Sequence, residues 1–333
     1  MALIHGGRLT EASRRYGIAP GDWLDLSTGI APWSYPVPEV PIHVWARLPE
    51  ADDGLSAAAA EYYGAAATNI PALPGSQFAI RALPEQYPPG RVGLPRIGYR
   101  EHARAWQMAG HTPVYYDTPE ELRATADGLD YAVLLAPNNP LADMPTSDDC
   151  QTIADRLGPG RLIVDAAFLD CAPEPPTLPE TAITLRSVGK FFGLAGLRLG
   201  FVIGAPEALA GLARRVEPWG VSHPARWVGA RALADDAWQA AQRERIAEGS
   251  AWLLDRLAEH MPEARLASGG LFVTACFESP DAAPAWHTAL ARRGVLTRLG
   301  DDRRWLRFGL VKLAQRDRLA SALCHARDYP QGP

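Results

Sequence analysis

Lysine is nearly absent from this 333-residue chain: of 33 basic residues only Lys190 and Lys312 are lysine, and the other 31 are arginine. Arginine serves wherever a positive charge is wanted, so a lysine kept against that bias points to chemistry that arginine cannot do. A lysine amine can lose its proton and condense with a carbonyl; a guanidinium cannot. Other scarcities exclude whole classes. No apolar run approaches the ~18 residues of a membrane span. No basic block accompanies the net charge of -5, which argues against nucleic acid as the main partner. The start, Met1 to Arg8, lacks a basic segment leading into an apolar one, so no secretory signal is expected. The four cysteines, Cys150, Cys171, Cys276 and Cys324, show no C-x-x-C spacing. They read as reduced thiols of a cytoplasmic protein, neither disulfides nor metal ligands.

What remains is ordinary globular material, 47% hydrophobic and 21% charged, with 30 glycines and 30 prolines that imply many short connections. Residues 1–40 read as an irregular arm. A helical pattern begins after Pro74-Gly75-Ser76. Apolar runs near 112–117, 131–137, 161–168, 182–188 and 198–204 then alternate with amphipathic stretches such as 99–110 and 147–157. Continuous apolar strands separated by helices predict an α/β fold with a mostly parallel sheet covered on both faces. Residues 224–260 read as one or two long helices, and from about 264 short strands and two helices suggest an α+β domain. The expected division is therefore an arm (1–40), a large domain (41–215) and a small C-terminal domain (216–333).

Ligands of such sheets gather at the carboxyl ends of the strands. Several chemistry-bearing residues fall there. Ser76 and Gln77 open a helix whose free N–H groups suit a phosphate, although Gly-Ser is also a common helix start. Tyr99 and His102 begin another helix. Asn139 lies in an Asn-Asn-Pro segment that favours a turn in any case. Asp165 ends a buried apolar strand, where a lone carboxylate is costly unless paired. Ser187, Lys190 and Arg198 lie in Ser-Val-Gly-Lys-Phe-Phe-Gly-Leu-Ala-Gly-Leu-Arg. Singly each has a plain structural explanation. Jointly they supply what one aldehyde-bearing pyridine cofactor requires: an amine, a cationic and amide-rich phosphate pocket, a carboxylate for the ring nitrogen and a flat side chain for the ring.

In order, the pattern G-S-Q, Y-x-x-H, N-P, D-x-x-F, S-x-G-K-x7-R resembles the fold-type I pyridoxal-phosphate enzymes of the aspartate and histidinol-phosphate aminotransferase superfamily. The resemblance spans roughly residues 1–330. It implies a seven-stranded, mostly parallel sheet and a homodimer whose arm packs across the active site. By that resemblance Lys190 is the lysine that binds the cofactor aldehyde. Ser187, Arg198, Ser76 and Gln77 hold the phosphate of pyridoxal 5'-phosphate. Tyr99 stacks on the ring, with His102 supporting Asp165, the partner of the ring nitrogen. Asn139 contacts the ring oxygen, and Arg307 clamps a substrate carboxylate bidentately.

Three further features resemble the threonine-phosphate decarboxylases of cobalamin biosynthesis: His5-Gly6-Gly7, Asp25-Leu26-Ser27-Thr28-Gly29-Ile30 before Pro32, and Arg307-Phe308-Gly309-Leu310. These imply decarboxylation of L-threonine O-3-phosphate to (R)-1-amino-2-propanol O-2-phosphate, with Arg298 and His5 at the substrate phosphate. For His5 a place in an unstructured terminus is the competing expectation. Four positions depart from the pattern. Phe168 replaces a tyrosine, which leaves Asn139 as the donor to the ring oxygen and is expected to favour decarboxylation over transamination. Leu48 stands where relatives carry a tyrosine that reaches across the dimer. Ala31 and Arg8 stand where asparagines are common. Two other readings stay open: a histidinol-phosphate-type aminotransferase, and a cofactor-binding partner protein without turnover.

Overall fold

The computed structural model describes residues 6–50 and 52–327. By compactness the chain forms two units, one of residues 34–139 with 143–241 and one of 1–33 with 140–142 and 242–333. Residues 216–241, expected in the C-terminal domain, cluster with the larger unit because the helix His223–Leu233 packs on the helix Leu55–Tyr63. Gly229 makes that approach possible: a Cβ there would sit 2.2 Å from Leu199 Cδ2 and 3.3 Å from Leu55 Cδ1. The boundary at 241/242 falls inside the 25-residue helix Asp236–His260.

The larger unit is built on seven strands: β1 (Ala72–Leu73), β2 (Arg91–Pro95), β3 (Thr112–Tyr116), β4 (Tyr131–Leu135), β5 (Leu162–Asp165), β6 (Ile183–Ser187) and β7 (Gly200–Ile203). Their order across the sheet is β1-β7-β6-β5-β4-β2-β3. The pairings from β6 to β3 are parallel, whereas β7 runs antiparallel to both β6 and β1. Period-two alternation splits the central strands between two cores. Tyr131, Val133, Leu135 and Ile163 pack with Leu73, Ile80 and Trp106 on one face. Ala132, Leu134, Leu162 and Val164 pack with Leu122, Ile153 and Leu157 on the other. Burial on both faces is why these strands read as unbroken apolar runs.

The smaller unit holds a four-stranded antiparallel sheet of β8 (Arg265–Ser268), β9 (Phe272–Cys276), β10 (Arg298–Leu299) and β11 (Trp305–Gly309), in the order β10-β11-β9-β8. Its arm is more regular than the sequence suggested. Leu9–Tyr16 is a helix ended by Gly17 in the left-handed region. Leu9, Ala12 and Tyr16 lie on one face and pack with Trp23, Ala291 and Leu296. Leu24–Asp25 then pairs parallel with Val295–Leu296. No helix among the described residues is long and apolar enough to cross a membrane.

Candidate active site

Asn139, Asp165, Ser187 and Lys190 lie at or just past the carboxyl ends of β4–β6, with Ser76, Gln77, Tyr99, His102 and Arg198 on turns and helix starts beside the same sheet. Asp165 is the last residue of β5 and is buried. Its Oδ2 lies 2.9 Å from His102 Nε2, and its Oδ1 accepts from the Ala167 N–H at 3.1 Å. With an ionised carboxylate this contact places the imidazole proton on Nε2. His102 is held by its position one residue into the helix Glu101–Met108 and is itself 1% exposed. A buried carboxylate backed by a buried imidazole is arranged to meet a positive charge.

Tyr99 sits just before that helix, its ring 6.2 Å from the His102 ring and edge-on to it. Its hydroxyl donates to Gln77 Oε1 at 2.8 Å. Burial first, then the Glu101 and Asp165 charges, push the phenol up to about 12, so it stays protonated. The Gln77 amide in turn donates to Glu101 Oε2 at 3.3 Å. Glu101, which the sequence reading passed over, is a carboxylate only 5% exposed. No local signal marks it, since an acid in the first turn of a helix is ordinary.

Lys190 lies on the single turn Val188–Phe191, capped by Ser187, whose Oγ accepts from Gly189 N at 3.3 Å. Phe191 and Phe192 are fully buried and anchor that turn. The Lys190 ammonium stands 5.3 Å from the centre of the Phe168 ring. At this position the chain offers a π face, with no hydroxyl.

Two glycines shape the space next to this lysine. A Cβ on Gly75, whose φ is +79°, would come 2.6 Å from Arg198 Nη2. One on Gly200 would come 2.5 Å from the Ser76 backbone N. Removing those two side chains lets the Ser76 turn, the Arg198 guanidinium and the end of β7 crowd together. Two hydroxyls, backbone N–H groups and a guanidinium are the donors an anion requires. With the amine, the aromatic face and the backed carboxylate, these residues fit pyridoxal 5'-phosphate.

Asn139 follows β4 and is partly buried, while its neighbour Asn138 is buried and donates to Ile97 O at 2.8 Å. In the smaller unit, Arg307 of β11 and Arg298 of β10 are direct partners in the antiparallel ladder. Arg307 is buried and donates to Ser27 O at 2.7 Å. Burial and, next, the Arg298 charge lower it to about 10, which leaves it charged at neutral pH. Arg298 bonds Asp301 Oδ1 at 3.3 Å. Ala31 is buried and Leu48 is exposed. His5 lies outside the described residues.

Comparison with known proteins agrees with this architecture. The family model described as aminotransferase class I and II matches residues 45–323. The chain is 45% identical to a threonine-phosphate decarboxylase of Pseudomonas aeruginosa, over 92% of this chain and 93% of that protein. It is 32% identical to one of Salmonella typhimurium, over 72% and 74%. In fold it is similar to the Sinorhizobium meliloti histidinol-phosphate aminotransferase crystallised with pyridoxal-5'-phosphate. That match has a TM-score of 0.82 at 19% identity, covering 98% of this chain and 95% of the other. The chain belongs to the aminotransferase class I and II family.

Proposed function

We propose that this protein uses pyridoxal 5'-phosphate to decarboxylate L-threonine O-3-phosphate, giving (R)-1-amino-2-propanol O-2-phosphate for cobalamin biosynthesis. The cofactor reading rests on the Lys190, Asp165–His102 and Arg198 arrangement, and the substrate reading on the named relatives. The observation that carries the substrate class is the pairing of Arg298 with Arg307. Opposite residues of an antiparallel ladder project to the same face, and like charges so placed repel. A ligand with two anionic groups, a carboxylate and a phosphate, relieves that repulsion.

The bound cofactor supplies an electron sink for the pair released when the bond to the carboxylate breaks. The chain supplies the rest. Lys190 would provide the amine that holds the aldehyde carbon until the substrate amine displaces it, and the Nζ so freed would return a proton to the substrate Cα after CO2 leaves. Asp165, steadied by His102, keeps the ring nitrogen protonated. Tyr99 covers the ring and Asn139 donates to its oxygen. Ser76, the Gln77 backbone, Ser187 and Arg198 grip the phosphate. Arg307 takes the substrate carboxylate and Arg298 its phosphate, with His5 as a further candidate there. Phe168 cannot donate to the ring oxygen, which leaves that task to Asn139.

We further place the protein in the cytoplasm as a homodimer. Ile42, Trp45, Leu48 and Trp219 are 80%, 64%, 60% and 59% exposed. The two segments that carry them are tied together by His223 Nδ1 and Arg47 O at 3.1 Å. Such large exposed apolar groups mark a docking face, and sedimentation equilibrium of the purified protein tests it.

The deciding assay is purified protein with pyridoxal phosphate and L-threonine O-3-phosphate. CO2 and amine product without any keto-acid acceptor support decarboxylation. Turnover of histidinol phosphate that depends on an acceptor would replace it with an aminotransferase, and cofactor binding without turnover would leave a partner protein.

A further inference from the structure

We propose that Glu101 is a positioning residue: its buried carboxylate fixes the orientation of the Gln77 amide and, through it, the hydroxyl and ring tilt of Tyr99. This rests on the pyridoxal-phosphate reading above and assigns a role to a residue outside the expected set.

The inference comes from the direction of each hydrogen bond. An ionised carboxylate can only accept, so the group that Gln77 turns toward Glu101 must be its NH2. That bond is 3.3 Å, to Oε2. With Nε2 committed, Oε1 faces the other way, and there it accepts the Tyr99 hydroxyl at 2.8 Å. Tyr99 O–H to Gln77 to Glu101 is thus a chain with a single sense. A neutral amide at position 101 carries both a donor and an acceptor, and Gln77 could then turn over and present Nε2 to the phenol oxygen. The Tyr99 ring is the flat group set against Asp165 and His102, so its tilt decides how well a pyridine ring is sandwiched.

The carboxylate is not explained by the ion pair it makes. Arg81 Nη2 reaches the same Oε2 at 3.4 Å, but that arginine side chain is 61% exposed whereas the Glu101 side chain is 7% exposed. Pairs of this kind with a solvated partner contribute little. Nor is a second buried acid near Asp165 favourable in itself. The contact of Glu101 that bears on Tyr99 is the one it makes with Gln77. Glu101 is also the main charge that, after burial, raises the Tyr99 phenol. One consequence alters the expected site. The Gln77 side chain is engaged on the ring side, so its contribution to an anion is the backbone N–H.

The test is a double-mutant cycle on the apoprotein. Pyridoxal phosphate is titrated into wild type, Glu101→Gln, Tyr99→Phe and the double variant, with melting temperatures measured in parallel. Each single substitution is expected to weaken cofactor binding about five- to ten-fold, the loss of one buried hydrogen bond. The double variant is expected to be no weaker than the poorer single one. Arg81→Ala is expected to bind like wild type. Independent, multiplying losses overturn the proposal. So does a lower apoprotein melting temperature with unchanged binding, or an Arg81→Ala loss equal to that of Glu101→Gln. Should Glu101→Gln fail to fold, Gln77→Met breaks the same chain with Glu101 in place, and unchanged binding there overturns the proposal. A wild type that binds no pyridoxal phosphate removes the functional reading and this one with it. A wild type that binds, without coupling, removes only this one.

Discussion

His102 Nε2 and Asp165 Oδ2 lie 2.9 Å apart with both side chains buried, in a pairing that spans 63 residues of sequence. Asp165→Asn keeps the shape and removes the charge. We expect turnover to fall by about 10²–10⁴-fold, the usual worth of a proton-holding group. His102→Ala instead leaves a buried carboxylate short of a partner, at a cost of about 1–3 kcal/mol. Steady-state rates and thermal melts of the two variants should therefore differ in pattern: activity lost in the first, activity and melting temperature lost in the second.

Arg298 and Arg307 give a prediction of opposite sign for stability and function. Arg298→Ala removes a like charge that faces Arg307 and gives up a partly exposed ion pair with Asp301 that contributes little. The melting temperature should not fall. KM for L-threonine O-3-phosphate should rise about 10- to 100-fold, the worth of a charged hydrogen bond. A lower melting temperature with unchanged KM would assign Arg298 to the scaffold.

Phe168 presents a ring to the Lys190 ammonium at 5.3 Å. Phe168→Tyr adds a donor at a buried position three residues after Asp165. With excess substrate and a keto acid present, we expect the share of turnovers ending in transamination to increase. Quantifying pyridoxamine phosphate against CO2 reads this out, and an unchanged ratio would show that reaction choice is set elsewhere.

His287 packs in the smaller unit with Nδ1 2.8 Å from Thr297 Oγ1. Burial first, then the Arg15 and Arg298 charges, lower it from 6.5 to about 4. Between those values the unfolded chain binds a proton that the folded chain refuses, so stability declines as the pH drops through that window. His287→Gln should flatten the decline. Urea midpoints at pH 7 and pH 4.5 for both proteins measure it.

Much of the larger unit was legible because its strands are buried on both faces. The runs at 131–137 and 161–168 became β4 and β5, and Lys190 stood out by its rarity among the arginines. β2 was missed since Arg91-Val92-Gly93-Leu94-Pro95 is short, interrupted by glycine and flanked by prolines. The helix Leu9–Tyr16 was missed since its apolar face has only three residues, amid a segment rich in turn formers. The unit boundary was misplaced by about one helix, because nothing local in His223–Leu233 reveals that its partner is Leu55–Tyr63. Glu101 was invisible as a site residue for a related reason. Its meaning lies in the sense of two hydrogen bonds, which a string of letters does not carry.

Arg198 adopts φ 53° and ψ 45°, the left-handed region, which costs an L-residue about 1–2 kcal/mol. Glycine would adopt the same backbone without strain, but it carries no guanidinium. A directed-evolution campaign scored on heat tolerance of the empty protein would thus be drawn toward Arg198→Gly. Screened with pyridoxal phosphate in the buffer, the same library would rank that variant near the bottom.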